Sequence, residues 1–171
     1  MKLFLIGLPG SGKTTLGAAL AKVLGHPFID LDAVIEAHFG VGIPTVFATQ
    51  GEAAFRQAEA DLLRQQAQQH PRFVMATGGG APCFHEGMAT MNSLGTTLYL
   101  DVSFTEIARR MAEAAGPNNR PLVNTAGSQQ PLHQQLQQKF GYRLPIYQQA
   151  THTITHDNIQ LSQVLTYVNT L

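Results

Sequence analysis

The sequence has few charged residues and a single cysteine. Asp, Glu, Lys and Arg make up 13% of its 171 residues, about half of the ~25% that is usual in soluble domains. Only four residues are lysine, and the formal net charge is zero. Because no basic stripe is present to meet a phosphate backbone, we expect no nucleic-acid partner. Cys83 cannot form an internal disulfide, which favours a reducing, cytoplasmic location.

Long hydrophobic runs are absent as well. No stretch approaches the about 20 apolar residues that a membrane-spanning helix needs, so we expect no membrane partner. The opening MKLFLIGLPG has an apolar run that is too short for a signal peptide and continues directly into a glycine-rich motif. No internal repeat or linker divides the chain, so we predict one domain over residues 1–171 that acts as a monomer.

Strand-like apolar runs alternate with segments of helical periodicity. The predicted strands are 3–7, 27–30, 72–77, 96–102 and 152–156. The predicted helices include 14–25, a short one in AVIEAHF, 51–69, 103–115 and the last fifteen residues. The Gln-rich segments RQQAQQH and LHQQLQQKF are predicted to be helix faces. This alternation favours βαβ units. We therefore predict an α/β fold with three layers, α/β/α, around a mainly parallel sheet of about five strands.

An irregular stretch interrupts this pattern near the C-terminal third of the chain. The segment GPNNRPLVNTAGSQQP, residues 116–131, is rich in Gly, Pro, Asn and Ser. Structureless loops of this length in compact domains are usually functional lids or disordered segments. We predict a mobile lid over about 112–131.

The strongest motif is GLPGSGKT, Gly7 to Thr14, which matches G-x-x-x-x-G-K-[ST] in full. It lies between a predicted strand and a predicted helix, the context that a phosphate-binding P-loop requires. Lys13 is placed to neutralise charge between the β- and γ-phosphates, and the Thr14 hydroxyl is placed to ligate Mg²⁺. The predicted nucleotide-binding residues of this motif are Gly10, Ser11, Gly12, Lys13, Thr14 and Thr15.

The P-loop indicates a nucleotide and a metal but not an acceptor. No N-K-x-D segment follows to read guanine, which disfavours a common GTPase. The chain is also too short for most motor-like ATPases. A small kinase of the P-loop NTPase type is the natural class.

Two carboxylates lie close together in FIDLD, at the end of the second predicted strand. If the strand continues through Asp32, side-chain alternation places Asp30 and Asp32 on the same side of it. The two residues could instead cap a turn or the following helix. The sequence leaves both interpretations open.

The order and spacing of several motifs resemble those of the shikimate kinase family. The matching segments are GLPGSGKTTLGAALA, FIDLDAVIE, GIPTVFATQGEAAFRQAE, ATGGGA, RPL (120–122) and YRLPIYQQA. The combination of FIDLD, GE-x-x-FR-x-x-E and TGGG is far more specific than the P-loop alone. The resemblance covers most of the chain from residue 4 to about 150. It implies phosphorylation of shikimate to shikimate 3-phosphate with ATP and Mg²⁺, in the pathway to chorismate and the aromatic amino acids.

The resemblance also implies roles in phosphoryl transfer. Asp32 would accept hydrogen bonds from the shikimate hydroxyls, and Asp30 would hold a Mg²⁺-bound water. Arg120 would be the lid arginine that steadies charge on the transferring phosphoryl group. Arg110 would pack against adenine, with the neighbouring Arg109 as the alternative. Lys13, Asp32 and Arg120 form the implied catalytic set.

The implied acceptor site occupies about 32–60 and two later motifs. Arg56 and Arg143 would bind the carboxylate of shikimate. Glu59, three residues after Arg56 on the same helix, would orient that arginine. The remaining contacts would come from two aromatic rings and three backbone positions, namely Phe47, Phe55, Gly78, Gly79 and Gly80. Taken singly, Arg56 and Glu59 also fit a plain surface ion pair.

Other functions stay open from the sequence. The chain could be a gluconate kinase or a nucleoside monophosphate kinase, because Arg56 and Arg143 suit a carboxylate or a phosphate equally well. The short distance from FIDLD to GE-x-x-FR favours an acceptor smaller than a nucleotide. A nucleotide-binding regulatory module without turnover is a third class, and the intact Lys13, Asp32 and Arg120 argue against it.

Overall fold

The computed structural model describes residues 1–115 and 130–168. Its strands are β1 (Lys2–Ile6), β2 (Phe28–Asp30), β3 (Phe73–Ala76), β4 (Thr96–Asp101) and β5 (His152–Thr155). All five pair in parallel in one sheet, in the spatial order β2-β3-β1-β4-β5. The five predicted strands are confirmed, each within one residue of its predicted ends.

Helices connect and follow these strands. In the described part of the chain they are α1 (Lys13–Leu24), α2 (Leu31–Phe39), α3 (Ile43–Gln69), α4 (Gly87–Leu94), α5 (Phe104–Ala115), α6 (Leu132–Phe140), α7 (Leu144–Tyr147) and α8 (Leu161–Val168). Short 3₁₀ turns lie at Ala81–Cys83 and Gly141–Arg143. The Gln-rich segment LHQQLQQKF forms α6, as predicted. We recognised no sequence signal for α4 or α7.

The connections place helices on both faces of the sheet. The crossover from β1 to β2 runs in the opposite direction to those from β2 to β3 and from β3 to β4. Right-handed crossovers therefore put α1 on one face and α3 and α4 on the other. In agreement, α1 contacts α8, and α3 contacts α4. The predicted α/β/α arrangement is confirmed.

The core follows from burial of the sheet on both faces. All of Leu3, Phe4, Leu5 and Ile6 in β1 are fully buried, as expected for a central parallel strand. Buried residues from all five strands belong to the same apolar cluster. Among the described helices, none alone is long and apolar enough to cross a membrane; α2 and α3 together pass on length and composition, but they are bent by 84°.

The conformation of the FIDLD segment agrees with only one of its two interpretations. β2 ends at Asp30, and α2 begins at Leu31, so Asp30 and Asp32 do not share one side of a strand. The physical reason is a helix cap: Asp30 Oδ1 accepts hydrogen bonds from the N–H groups of Asp32 at 3.1 Å and Ala33 at 3.4 Å. The expectation of a continuous strand is therefore wrong, and the capping alternative is confirmed.

Two other segments differ from their predicted extent. The helix predicted over 51–69 begins earlier, at Ile43, and is broken at Gly51, where φ is 83° and ψ is 167°. Residues 112–115 of the predicted lid belong to α5. The rest of that lid, apart from residues 130 and 131, lies outside the described residues, and so does Arg120.

Replacement of Ser103 by alanine should destabilise the fold at the start of α5. Ser103 Oγ accepts a hydrogen bond from the Glu106 N–H at 3.2 Å and so caps the helix. Loss of such a cap costs about 1 kcal/mol of unfolding free energy, and urea denaturation measures it. Ser93→Ala is the matched control, because the Ser93 hydroxyl donates within α4 to the Thr90 carbonyl and caps nothing. Equal stability of the two variants would contradict the assignment.

Candidate active site

The carboxyl ends of β1, β2 and β3 meet at one edge of the sheet. Leu5 of β1 and Asp30 of β2 are both in register with Ala76 of β3. The P-loop follows β1, and the segment 78–80 follows the neighbouring β3. The phosphate motif and the three glycines therefore lie side by side, at the edge where parallel sheets bind ligands.

The predicted nucleotide-binding residues are brought together in one cleft. Its lining residues are Gly10, Gly12, Lys13, Thr14, Thr15 and Arg110. Ser11 lies in the same loop but is buried, and its hydroxyl has no hydrogen-bond partner among the described residues. Because α1 begins at Lys13, the positive end of its dipole lies at this cleft. This arrangement suits a polyphosphate.

Lys13 is a buried cation without an ion pair in the described part of the chain. Its Nζ donates to the carbonyl oxygens of Gly7 at 2.9 Å and Leu8 at 3.0 Å. Burial lowers the pKa of Lys13 to about 8, although the charges of Asp32 and Asp30 act in the opposite direction. An ammonium group held only by neutral oxygens can gain a phosphate ligand without breaking a salt bridge.

Thr14 and Asp30 meet between the P-loop and β2. The Thr14 hydroxyl donates to Asp30 Oδ2 at 3.0 Å, and the other carboxylate oxygen caps α2. Hydroxyl and carboxylate oxygens are the hard ligands that Mg²⁺ takes, usually together with water and phosphate. The two residues predicted to hold the metal are thus adjacent, and their donor atoms fit it.

A second cleft opens beside Asp32 and contains most of the predicted acceptor residues. Its lining residues are Asp32, Ile43, Phe47, Phe55, Arg56, Glu59, Gly78, Gly79 and Gly80. Ile43 is the one member that the sequence did not single out. Arg143 lies at its edge, since a Cβ added to Gly79 would be 3.4 Å from Arg143 Nη1. Residues far apart in the sequence thus form one acceptor cleft.

Arg56 and Glu59 form a buried ion pair in this cleft. Arg56 Nη1 lies 2.7 Å from Glu59 Oε2, and the two side chains are only 10% and 3% exposed. The alternative of a plain surface ion pair is therefore wrong. Burial raises the pKa of Glu59, and the charge of Arg56 opposes that rise. The guanidinium lies 4.3 Å from the centre of the Phe84 ring, which helps to fix its orientation.

The glycines after β3 allow a close approach of these charged groups. A Cβ on Gly78 would lie 2.7 Å from Glu59 Oε1 and 2.9 Å from Asp32 Oδ1. A Cβ on Gly80 would lie 2.3 Å from Arg56 Nη1. Any side chain at either position would displace the groups that form the cleft, so the backbone itself must be one wall of it.

Asp32 lies in the first turn of α2 and lines the acceptor cleft. Burial raises the pKa of its carboxyl group, the charge of Asp30 raises it further, and Lys13 opposes both effects. A carboxylate with a raised pKa is a better proton acceptor than an ordinary surface aspartate. The position of Asp32 in the cleft and its raised pKa would both suit a group that accepts a proton from a bound hydroxyl group.

Arg143 is held by aromatic groups. It belongs to the 3₁₀ turn Gly141–Arg143, its guanidinium lies 4.6 Å from the centre of the Phe140 ring, and its Nε donates to the Tyr142 hydroxyl at 3.1 Å. No ion pair to Arg143 occurs within residues 1–115 and 130–168. This buried cation is therefore available to an anionic ligand.

The structure distinguishes Arg110 from Arg109. Arg110 lies in the P-loop cleft and donates to the carbonyl oxygens of Gly10, at 3.2 Å, and Asp157. Arg109 is 56% exposed and pairs with Glu106 and Glu113 on α5. Of the two, only Arg110 lines the P-loop cleft.

Several residues at the site were missed at the sequence level. Phe84 covers Arg56, Tyr142 contacts Arg143, and Tyr147 donates a hydrogen bond to the Gly79 carbonyl. Tyr142 and Tyr147 lie within the motif YRLPIYQQA, which was a usable signal, whereas Phe84 follows no recognised pattern. Arg120, whose role is implied by the resemblance, lies outside the described residues.

Comparison with known proteins agrees with this geometry. The model of the family described as shikimate kinase matches residues 9–170. A shikimate kinase of Bacteroides fragilis strain YCH46 is 38% identical over 172 aligned residues, with 100% of this chain and 94% of the relative covered. One from Parabacteroides distasonis is 39% identical over 152 residues, which covers 89% and 86% of the two chains.

Solved structures are similar over the whole chain. The crystal structure of shikimate kinase from Bacteroides thetaiotaomicron has a TM-score of 0.86 at 35% identity and covers 100% of this chain and 99% of its own. The shikimate kinase of Acinetobacter baumannii in complex with shikimate has a TM-score of 0.82 at 30% identity, with 99% and 93% covered. From its family match, its relatives and its structural neighbours, this chain belongs to the shikimate kinase family.

Proposed function

We propose that this protein transfers the γ-phosphoryl group of ATP to a hydroxyl group of shikimate, giving ADP and shikimate 3-phosphate. The observation that carries the proposal is the position of Asp32, which lines the cleft beside the two buried arginines and whose charge interacts with that of Lys13 in the P-loop. A small, hydroxylated carboxylate matches this second cleft. The A. baumannii relative that was solved with shikimate supports the same acceptor.

The acceptor is held by charge and oriented by the backbone. The guanidinium groups of Arg56 and Arg143 bind its carboxylate, since a planar fork of N–H donors matches two carboxylate oxygens. Glu59 keeps Arg56 in place through the 2.7 Å contact. Phe47 and Phe55, whose ring centres are 4.5 Å apart, cover the apolar side of the ring.

Transfer depends on positioning and charge neutralisation. Asp32 orients the attacking hydroxyl and accepts its proton, while the oxygen of that hydroxyl forms the new bond to phosphorus. Lys13 stabilises negative charge on the phosphoryl oxygens, and ADP leaves. We assign to Arg120 the same task from the lid side, to Arg110 the contact with adenine, and to closure of the lid the exclusion of water.

Thr14 and Asp30 would hold Mg²⁺, Thr14 directly and Asp30 through water. Among the described residues, no group of three or more His, Cys, Asp or Glu side chains could hold a metal alone, so phosphate and water oxygens complete the shell. When bound, the ion would neutralise negative charge on the phosphate groups. We also propose a cytoplasmic monomer, which agrees with the free Cys83.

A panel of acceptors tests the proposed function. With Mg·ATP, we expect rapid release of ADP with shikimate and only background release with gluconate or AMP, because the acceptor cleft pairs two arginines with a small pocket. A coupled ADP assay measures the rates, and mass spectrometry identifies the product. Turnover of gluconate or AMP but not shikimate would assign another kinase activity. Binding of ATP without transfer to any acceptor would instead support a regulatory module.

Replacement of Asp32 by asparagine should abolish most turnover while ATP still binds. The change keeps the shape of the side chain but removes the proton acceptor, which typically contributes about 10²–10⁴-fold to the rate. Steady-state kinetics give kcat, and calorimetry gives the ATP affinity. Asp61→Asn is the control, because Asp61 is an exposed residue of α3 with no place in either cleft. An unchanged kcat in Asp32→Asn would remove Asp32 from the mechanism.

Lys13 should take up a proton when nucleotide binds near pH 8.5. With a pKa of about 8 in the free protein, Lys13 is neutral in most molecules at that pH. Bound polyphosphate favours the charged form. We expect uptake of more than half a proton per ADP, measured by calorimetry in buffers of different ionisation enthalpy. Nucleotide affinity should correspondingly fall as the pH rises above 8.

The exposed Lys22 provides a matched control for this measurement. Lys22→Arg should keep the proton uptake, whereas Lys13→Arg should lose it, because a guanidinium group stays charged over this range. Equal uptake in the wild-type protein and Lys13→Arg would assign the proton to another group.

A further inference from the structure

Tyr147 lies behind the acceptor cleft and has no part in the mechanism above. Its side chain is fully buried, its ring centre lies 5.3 Å from that of Tyr99, and its hydroxyl donates a hydrogen bond to the carbonyl oxygen of Gly79. Burial raises the pKa of the Tyr147 phenol above its ordinary value. The hydroxyl therefore stays protonated and remains a donor.

The bond to Gly79 determines where the next N–H group points. In a trans peptide, the carbonyl of one residue and the N–H of the next point in opposite directions. Since the Gly79 carbonyl points toward Tyr147, the Gly80 N–H points away from it. This N–H makes no hydrogen bond to other described residues, and Gly80 lines the acceptor cleft. The peptide thus offers an unused donor on the side away from Tyr147.

The same tyrosine connects this peptide to an acceptor arginine. The turn Gly141–Arg143 continues directly into α7, so Arg143 and Tyr147 are four residues apart in one helical stretch. Arg143 Nη1 would lie 3.4 Å from a Cβ on Gly79. The hydrogen bond therefore joins the element that carries the arginine to the glycine turn that faces it.

We propose that Tyr147 is a positioning residue for the acceptor. Its hydroxyl fixes the Gly79–Gly80 peptide so that the Gly80 N–H donates to a shikimate oxygen. The same hydrogen bond keeps Arg143 close to that donor. The inference rests on the proposed function, since shikimate is the ligand that both groups meet. Tyr147 does not line the nucleotide cleft, so we expect its effect to fall on acceptor binding.

The test is Tyr147→Phe, which removes one oxygen atom and keeps the buried ring. We expect the KM for shikimate to rise about ten-fold, with kcat and the KM for ATP within two-fold of the wild-type values. Tyr99→Phe is the matched control, because Tyr99 is a buried neighbour whose hydroxyl donates to Asp101 instead, at 2.8 Å. This control should leave the KM for shikimate unchanged at a comparable loss of thermal stability.

The outcomes separate this inference from the proposed function. Equal KM values for shikimate in the two variants, or a fall in kcat without a change in KM, would overturn the role of Tyr147 while wild-type turnover of shikimate keeps the proposed function intact. No turnover or binding of shikimate by the wild-type protein would overturn the proposed function and this inference together.

A measurement on the wild-type protein covers the case in which Tyr147→Phe fails to fold. In a nitrogen-15 NMR titration with shikimate, the Gly80 amide proton should move downfield by a large fraction of 1 ppm, as expected when an N–H gains an oxygen acceptor. The amide of Gly95, remote from the cleft at the start of β4, is the internal reference. An unshifted Gly80 amide at saturating shikimate would overturn the proposal.

Discussion

The carboxylate of Asp30 is the constraint on which the rest of the site depends. One of its oxygens accepts from Thr14, at the start of the helix that follows the P-loop. The other accepts from the first N–H groups of α2 and so fixes where that helix begins. Because Asp32 lies in this first turn, the side chain of Asp30 sets the distance between the phosphate site and the carboxylate of Asp32. A carboxylate can do this since its two oxygens accept several hydrogen bonds at once.

Around the Asp30 carboxylate, the site contains buried cations whose charge is only partly neutralised. Lys13 is held by two carbonyl oxygens, and Arg143 by an aromatic ring and a hydroxyl. Of these three cations, only Arg56 has a buried carboxylate partner within the described part of the chain, namely Glu59. Much of the desolvation cost of these groups is therefore met on folding. Anionic ligands then supply the missing charge, which is why a chain of zero net charge can bind a polyphosphate and a carboxylate.

Much of this arrangement could be predicted from the sequence because its signals are local. The P-loop is a contiguous motif between a strand and a helix, and the strands are short apolar runs with clear ends. The acceptor residues followed from resemblance, since nothing local to Arg56 or Arg143 brings them together. The end of β2 at Asp30 was predicted correctly, but the placement of Asp30 and Asp32 on one side of a strand was wrong, because the Asp30 side chain caps a helix that begins at Leu31. Phe84 and Tyr147 act through tertiary contacts that no periodicity encodes.

The break of α3 at Gly51 divides the acceptor wall into two separate parts. Phe47 lies before the break and Arg56 after it, and a Cβ on Gly51 would meet nothing within 4 Å. The two parts still meet, because the ring centres of Phe47 and Phe55 lie 4.5 Å apart beside the ion pair of Arg56 and Glu59. The change of chain direction at Gly51 thus lets two helical segments contribute to one wall, an aromatic ring from the first and an aromatic ring and a cation from the second.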